Sequence, residues 1–121
     1  MRQINENRVF EVSIPKYQNV KRYTEYQIVV VAQHKYITSD CFFIYRRYSE
    51  FLKLHKILEK DILYLPDFPP KVFLNKKKEI LEDRRKKFDL YLKYVTSFII
   101  RNKYERCDSG RALFKFLSPT S

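Results

Sequence analysis

Cations set beside aromatic or proline residues are where this sequence could do chemistry. Arg46 and Arg47 precede Tyr48, and Lys71 follows Leu65-Pro66-Asp67-Phe68-Pro69-Pro70. Further on come Lys76-Lys77-Lys78 and Arg84-Arg85-Lys86-Lys87. A guanidinium can grip a phosphate through two parallel hydrogen bonds, and an aromatic ring offers a flat wall to a sugar-like ring. A single lysine is ordinarily a solvated surface residue. The arginine pairs differ. Arg46 and Arg47 end a stretch of strand character, so their side chains leave on opposite faces, one toward a concavity between sheet and helices. Arg84 lies four residues before Phe88 on an apolar helical stripe, and a charge facing inward asks for a partner or a ligand. Arg47, Tyr48, Lys71 and Arg84 could thus converge on one anionic, ring-bearing ligand.

Val72, Phe73 and Leu74 lie next to this set, three apolar residues in a predicted loop. They read either as anchors buried in the core or as a membrane-inserting tip ringed by Lys76, Lys77 and Lys78, which would contact anionic lipid without specificity. Catalysis finds no constellation. His34 falls in a predicted turn and His55 on a mostly exposed helical face. No Ser or Cys stands in a nucleophile context. Glu82 and Asp83 point apart on a helix and read as i,i+4 partners of Lys86 and Lys87. Cys41, Cys107, His34 and His55 match no compact metal-ligand spacing, so neither metal nor cofactor is expected. The single glycine, Gly110, excludes glycine-rich nucleotide loops.

The elements that must position these residues follow from composition and period. The 121 residues carry a net charge of +11, are 45% hydrophobic, and include 10 Phe and 10 Tyr. That suits one folded domain over residues 1–121, with a core from about 8 to 117. Val9, Glu11 and Ser13 alternate with Phe10, Val12 and Ile14, which predicts a strand that Pro15 stops. Lys16 to Arg22 reads as turn. Tyr26–Ala32 and Ser39–Arg47 read as strands, joined by a turn at His34-Lys35, and Cys41 reads as a small core residue. Ser49 is the expected cap of a helix that buries Phe51, Leu54, Ile57 and Leu58 and fades near Asp61. The prolines forbid helix over Leu65–Pro70 and favour an extended segment. A long helix over Lys77–Arg101 and a short one over Ser109–Leu117 complete an α+β domain, a three-stranded antiparallel sheet packed against a helical part with a proline-rich loop.

Taken together, the sequence resembles the phox-homology (PX) domain family, which binds phosphoinositides. The resemblance runs from about Arg8 to Leu117. It is carried by Arg46-Arg47-Tyr48-Ser49-Glu50-Phe51, by Leu65-Pro66-Asp67-Phe68-Pro69-Pro70-Lys71, and by Glu82-Asp83-Arg84-Arg85-Lys86-Lys87-Phe88 with Tyr91-Leu92 after it. It implies that Arg47 holds a 3-phosphate, Tyr48 stacks under the inositol ring, Lys71 meets the 1-phosphate and Arg84 reads the 4- and 5-hydroxyls. The loop after Lys71 departs from the family in being short and carrying three lysines.

The resemblance implies a non-enzymatic, sorting-nexin-like membrane-targeting module, most simply for phosphatidylinositol 3-phosphate on endosomal membranes. The alternative is a protein-interaction domain of the same family with weak or no lipid binding. Nucleic acid is not expected, because most Phe and Tyr follow core periods and do not lie exposed among the cations. Two thiols suit a reducing cytosol. The longest apolar run, Ile28–Ala32, is too short to span a membrane, and the N-terminus lacks the apolar core of a secretory signal. Protein partners would come through the rest of a parent protein.

Overall fold

The computed structural model describes residues 9–33, 41–71 and 77–119. Strands β1 (Val9–Val20), β2 (Tyr23–Gln33) and β3 (Cys41–Arg47) form an antiparallel sheet in the order β1-β2-β3. Helices α1 (Tyr48–Leu58), α2 (Lys78–Arg101) and α3 (Asp108–Phe116) follow. This is the α+β arrangement that the periodicities predict. Alternation gives the sheet an inner face of Val12, Ile14, Tyr26, Ile28, Val30 and Ile44, all buried. Helical spacing puts Phe51, Leu54 and Leu58 of α1 and Phe88, Tyr91, Leu92, Val95 and Ile99 of α2 into the same core.

Pro15 does not stop β1. It lies where the β1–β2 register shifts between Ser13 and Lys16, and pairing resumes from Lys16↔Gln27 to Val20↔Tyr23. A proline is tolerated here because β1 is an edge strand and a bulge needs no ladder hydrogen bond from that residue. The expected turn over Lys16–Arg22 therefore shrinks to Lys21-Arg22, with Lys21 in the left-handed region at φ 48°. Beside the bulge, Ile14 N–H donates to Asp89 Oδ1 at 2.7 Å and Ile14 C=O accepts from Arg85 Nη1 at 2.6 Å. Backbone groups left without a strand partner are thus satisfied by α2, which fixes that helix against the strand edge.

Ser49 is not the helix cap. Pairing of β3 continues to Arg47, and α1 begins at Tyr48 with no intervening turn. Glu50 supplies the missing acceptor, taking the Arg47 N–H at 2.9 Å. Cys41 is exposed, not in the core, because it shares the outer sheet face with Phe43 and Tyr45. Glu82 pairs with Arg85 in place of Lys86, whereas Asp83 does meet Lys87, at 3.2 Å. At the far end, Asp61 accepts hydrogen bonds from Ser109 Oγ at 2.6 Å and Ser109 N–H at 3.2 Å, and these hold its carboxyl below the usual range. The expected turn at His34-Lys35 lies outside the described residues.

Gly110 packs α3 onto the preceding loop. A Cβ there would stand 2.1 Å from the Tyr104 carbonyl oxygen and 2.7 Å from Glu105 Cα, and both obstacles are backbone. Gly110→Ala is expected to lower stability by about 1–3 kcal/mol, the usual range for overpacking. Urea unfolding followed by circular dichroism measures this. An unchanged midpoint would contradict such close packing.

Candidate functional site

The strand-to-helix junction splits the first arginine pair as strand alternation requires. Arg46 turns inward and is only 8% exposed. Its guanidinium donates to the carbonyls of Phe116 at 2.9 Å, Tyr45 at 2.9 Å and Ser118 at 2.7 Å. It tethers the end of the chain to β3. Arg47 turns outward, and its Cζ lies 4.0 Å from the centre of the Tyr23 ring. Tyr23 is a site neighbour that sequence reasoning missed. The β2–β3 register, which pairs Glu25 with Arg47, brings the start of β2 there.

Tyr48, the first residue of α1, is half-buried. Its ring packs on Phe68 at 5.7 Å and Phe88 at 5.9 Å, and its hydroxyl donates to the Pro69 carbonyl at 2.8 Å. Arg84 Cζ stands 4.5 Å from the same ring, and Arg84 Nη2 donates to the Pro70 carbonyl at 3.1 Å. Tyr48 and Arg84 therefore grip consecutive carbonyls of the proline segment directly before Lys71, which is exposed. Proline lacks an N–H but keeps its carbonyl, so a proline run presents acceptors that no helix or strand has used.

The second arginine pair is divided as well. Arg85 spends its donors on Glu82, at 2.9 and 2.6 Å, and on Ile14 C=O. The Arg85–Glu82 bond holds the carboxyl of Glu82 below its ordinary range. Arg84, one residue earlier, is left facing Tyr48 and the prolines.

His55 lies less exposed than expected. It stacks on Phe68 with ring centres 4.4 Å apart, and its Nδ1 is 2.6 Å from the Tyr91 hydroxyl. It thereby supports the proline segment from below. Lys77 and Lys78 are exposed at the start of α2. Val72, Phe73, Leu74 and Lys76 lie outside the described residues. No group of side chains suited to a metal ion, and no helix long and apolar enough to cross a membrane, occurs among the described residues.

Burial raises the phenols under the site. Tyr26 and Tyr48 both lie above the ordinary value because of desolvation, which the positive charge of Arg84 opposes. Burial also pushes Tyr91 well above its usual range. Raised phenols stabilise the fold fully below the ordinary pKa of about 10, and this contribution is lost as the pH climbs through the raised folded value.

Among the described residues the buried Tyr26 hydroxyl makes no hydrogen bond of ordinary geometry, and its one polar neighbour of note is the Arg84 guanidinium, which opposes the rise of its pKa. Tyr26→Phe should therefore leave stability near pH 7 unchanged or raise it by up to about 1 kcal/mol. It should also shrink the loss of stability between roughly pH 9 and pH 11. Urea titrations of both proteins across that range measure the effect. A steeper alkaline loss in the variant would contradict this account of Tyr26.

Comparison with known proteins agrees with this fold. A family model described as PX domain matches residues 34–118. Sorting nexin-3 of Schizosaccharomyces pombe is 29% identical over 87 residues, which are 69% of this chain and 61% of that protein. The human kinesin-like protein KIF16B is 27% identical over 99 residues, 76% of this chain and 7% of that protein. The chain thus spans less than two thirds of either relative. The X-ray structure of a designed CISK-PX domain superposes with a TM-score of 0.70 at 26% identity, covering 90% of this chain and 99% of that one.

Proposed function

The chain belongs to the PX domain family, and on that premise we propose that it is a peripheral membrane-targeting module that captures phosphatidylinositol 3-phosphate. The carrying observation is the Arg84–Tyr48 contact at 4.5 Å, with both side chains bonded to the prolines that precede Lys71. One wall of the site is therefore built before any ligand arrives, and preorganisation lowers the cost of binding. In this reading Arg47 takes the 3-phosphate and Tyr48 stacks under the inositol ring. Lys71 meets the 1-phosphate that joins ring to lipid, and Arg84 donates to the 4- and 5-hydroxyls.

The resting contact of Arg47 does not compete with such a ligand. A cation over a half-buried ring such as Tyr23 is worth about 0.5–2 kcal/mol. A charge-assisted, partly desolvated phosphate contact is worth on the order of 2–5 kcal/mol. Phosphate wins. Lys77 and Lys78 are exposed at the start of α2, and their charge adds to the attraction of an anionic membrane. Endosomal membranes carry this lipid chemistry. A cytoplasmic role there in sorting or signalling, non-catalytic and without a cofactor, agrees with the sorting nexin among the relatives.

Head-group capture is tested with liposomes. Arg47→Ala leaves an exposed position and should fold normally, yet lose about 2–5 kcal/mol of binding to phosphatidylinositol 3-phosphate vesicles. Because Arg84 is assigned to ring hydroxyls, vesicles bearing a 3,4- or 3,5-bisphosphate should bind more weakly than the 3-phosphate. Affinity of Arg47→Ala within about twofold of the parent would reject the site, whereas tighter bisphosphate binding would reject only the specificity.

The Val72-Phe73-Leu74 segment is proposed as a membrane-inserting tip, since Lys71 beside it faces the linking phosphate at the bilayer surface. Burying side chains of this size contributes roughly 1.5–3 kcal/mol each. Phe73→Ala combined with Leu74→Ala should weaken vesicle binding at least about tenfold and leave affinity for a soluble head group nearly unchanged. Circular dichroism must show the double variant folded. A folded variant with full vesicle affinity would end the insertion idea, and an unfolded one would assign these residues to the core.

A further inference from the structure

Four of the five large apolar side chains left exposed among the described residues gather on one surface. Leu90 is 65% exposed on the face of α2 opposite its buried stripe, and Tyr94 stands beside it one turn later. Leu63 and Tyr64, 84% and 78% exposed, lie in the segment that leads from α1 to the prolines. The Tyr94 hydroxyl donates to the Tyr64 carbonyl at 3.0 Å, which joins the two strips. Single exposed apolar residues are ordinary, whereas a contiguous group rimmed by charge marks a binding surface.

The surface is ordered before anything docks. Tyr94 is pinned at its hydroxyl and stacks on Phe98, which meets the Tyr104 ring edge-on at 5.5 Å. Side chains already held lose little freedom on binding. Leu90 follows Arg84 on α2 by about 9 Å along the axis and about 120° round it, so the surface is separate from the arginine site.

Backbone and charge together define the occupant. The surface is walled by a helix and by a linker, and no strand borders it among the described residues. An occupant must therefore satisfy its own backbone hydrogen bonds, as a helix does. Leu90 and Tyr94, at i and i+4, match the spacing of side chains along a second helix. Lys86 lies one turn before Leu90, Arg101 two turns after Tyr94, and Lys60 just before Leu63. None of these three enters an ion pair among the described residues. The carboxylates nearest Leu90 along α2 are engaged, Asp83 by Lys87 at 3.2 Å and Asp89 by Lys93 at 2.6 Å. In the linker, Glu59 meets His55 and Asp61 meets Ser109, which leaves Asp67 against the three unspent cations. The rim is thus net positive, in a chain of net charge +11. A second copy would bring cations against cations, so the complementary partner is acidic.

We propose that this surface docks an amphipathic helix of a partner protein. Its apolar stripe covers Leu63, Tyr64, Leu90 and Tyr94, and its flanking carboxylates meet Lys86 and Arg101. Those two cations stand about 22 Å apart along α2, the span of about four turns of docked helix. The apolar side chains supply affinity, and the cations select the acidic helix and set its direction.

The test selects helical peptides about 20 residues long, randomised along one face and displayed on phage, against the folded domain. Enriched sequences should carry apolar residues at helical spacing with Asp or Glu alongside. In nuclear magnetic resonance titrations the best peptide should shift Leu63, Tyr64, Leu90 and Tyr94 and leave Arg47 and Tyr48 unmoved. Leu90→Glu should lose at least about tenfold in peptide affinity with an unchanged unfolding midpoint. Lys86→Glu should lose about fivefold, and a peptide with Lys in place of its matching carboxylate should restore the loss. Arg47→Ala should bind the peptide normally, and Leu90→Glu should bind phosphatidylinositol 3-phosphate vesicles normally, so this proposal and the lipid reading fail separately. Failure to enrich any helical peptide would overturn the proposal, as would peptides indifferent to Leu90→Glu or to charge reversal at Lys86. A dimer in sedimentation that Leu90→Glu abolishes would give the surface to a second copy, and loss of vesicle binding in that variant would give it to the membrane. Either result would equally overturn the proposal.

Discussion

The ring of Phe88 touches β2, the first helix and the proline segment around the arginine site. It stacks on Phe51 of α1 at 3.9 Å with 12° between the planes, and meets Tyr26 of the sheet edge-on at 5.2 Å. It also meets Tyr48 at 5.9 Å and Phe68 of the proline segment at 5.5 Å. Offset and edge-to-face ring pairs each contribute about 0.5–1.5 kcal/mol beyond their burial. Four such neighbours around one fully buried ring set the distance between sheet, first helix and proline run. Arg84 is one helical turn before Phe88, so anchoring that ring aims the guanidinium as well. The site inherits its geometry from the core beneath it.

Two adjacent arginine pairs show how a charge can be either structure or tool. Arg46 and Arg85 are consumed by backbone carbonyls and a carboxylate, and each joins parts of the chain far apart in sequence. A buried guanidinium survives desolvation only with such partners. Their neighbours Arg47 and Arg84 keep looser contacts, mainly over aromatic rings. Strand alternation separates the first pair, and the 100° step of a helix separates the second. Backbone geometry thus decides, one residue at a time, which guanidinium is consumed by the fold.

Much of this was legible in the sequence, because period-two and period-3.6 patterns are strong over β2, β3, α1 and α2. The four-residue spacing of Arg84 to Phe88 is the sequence feature that separates it from Arg85, and in the fold Arg84 faces Tyr48 and Pro70 whereas Arg85 meets Glu82 and Ile14 C=O. Other features depended on tertiary context. Pro15 reads as a stop, yet an edge strand with a bulge tolerates it. Cys41 sits among aromatics in sequence, but alternation sends it to the outer face with Phe43, which is 59% exposed. His55 looked exposed on a helical wheel, and only the returning proline segment places Phe68 against it. Tyr23 could not be found without the register of β2 on β3. Long-range pairing is what single-sequence patterns lack.

The central claim is that within each arginine pair one residue holds the fold and the other holds the ligand. The most direct test compares Arg84→Met with Arg85→Met by urea unfolding and by calorimetric titration with a soluble inositol 1,3-bisphosphate head group. Methionine keeps much of the apolar stem while removing the guanidinium. Arg84→Met should keep its unfolding midpoint and lose head-group affinity at least about tenfold. Arg85→Met should lose roughly 1–3 kcal/mol of stability, from the partners left unsatisfied at Ile14 and Glu82, and bind the head group normally once folded. The reverse pattern, with Arg84→Met unstable and Arg85→Met unable to bind, would contradict the account.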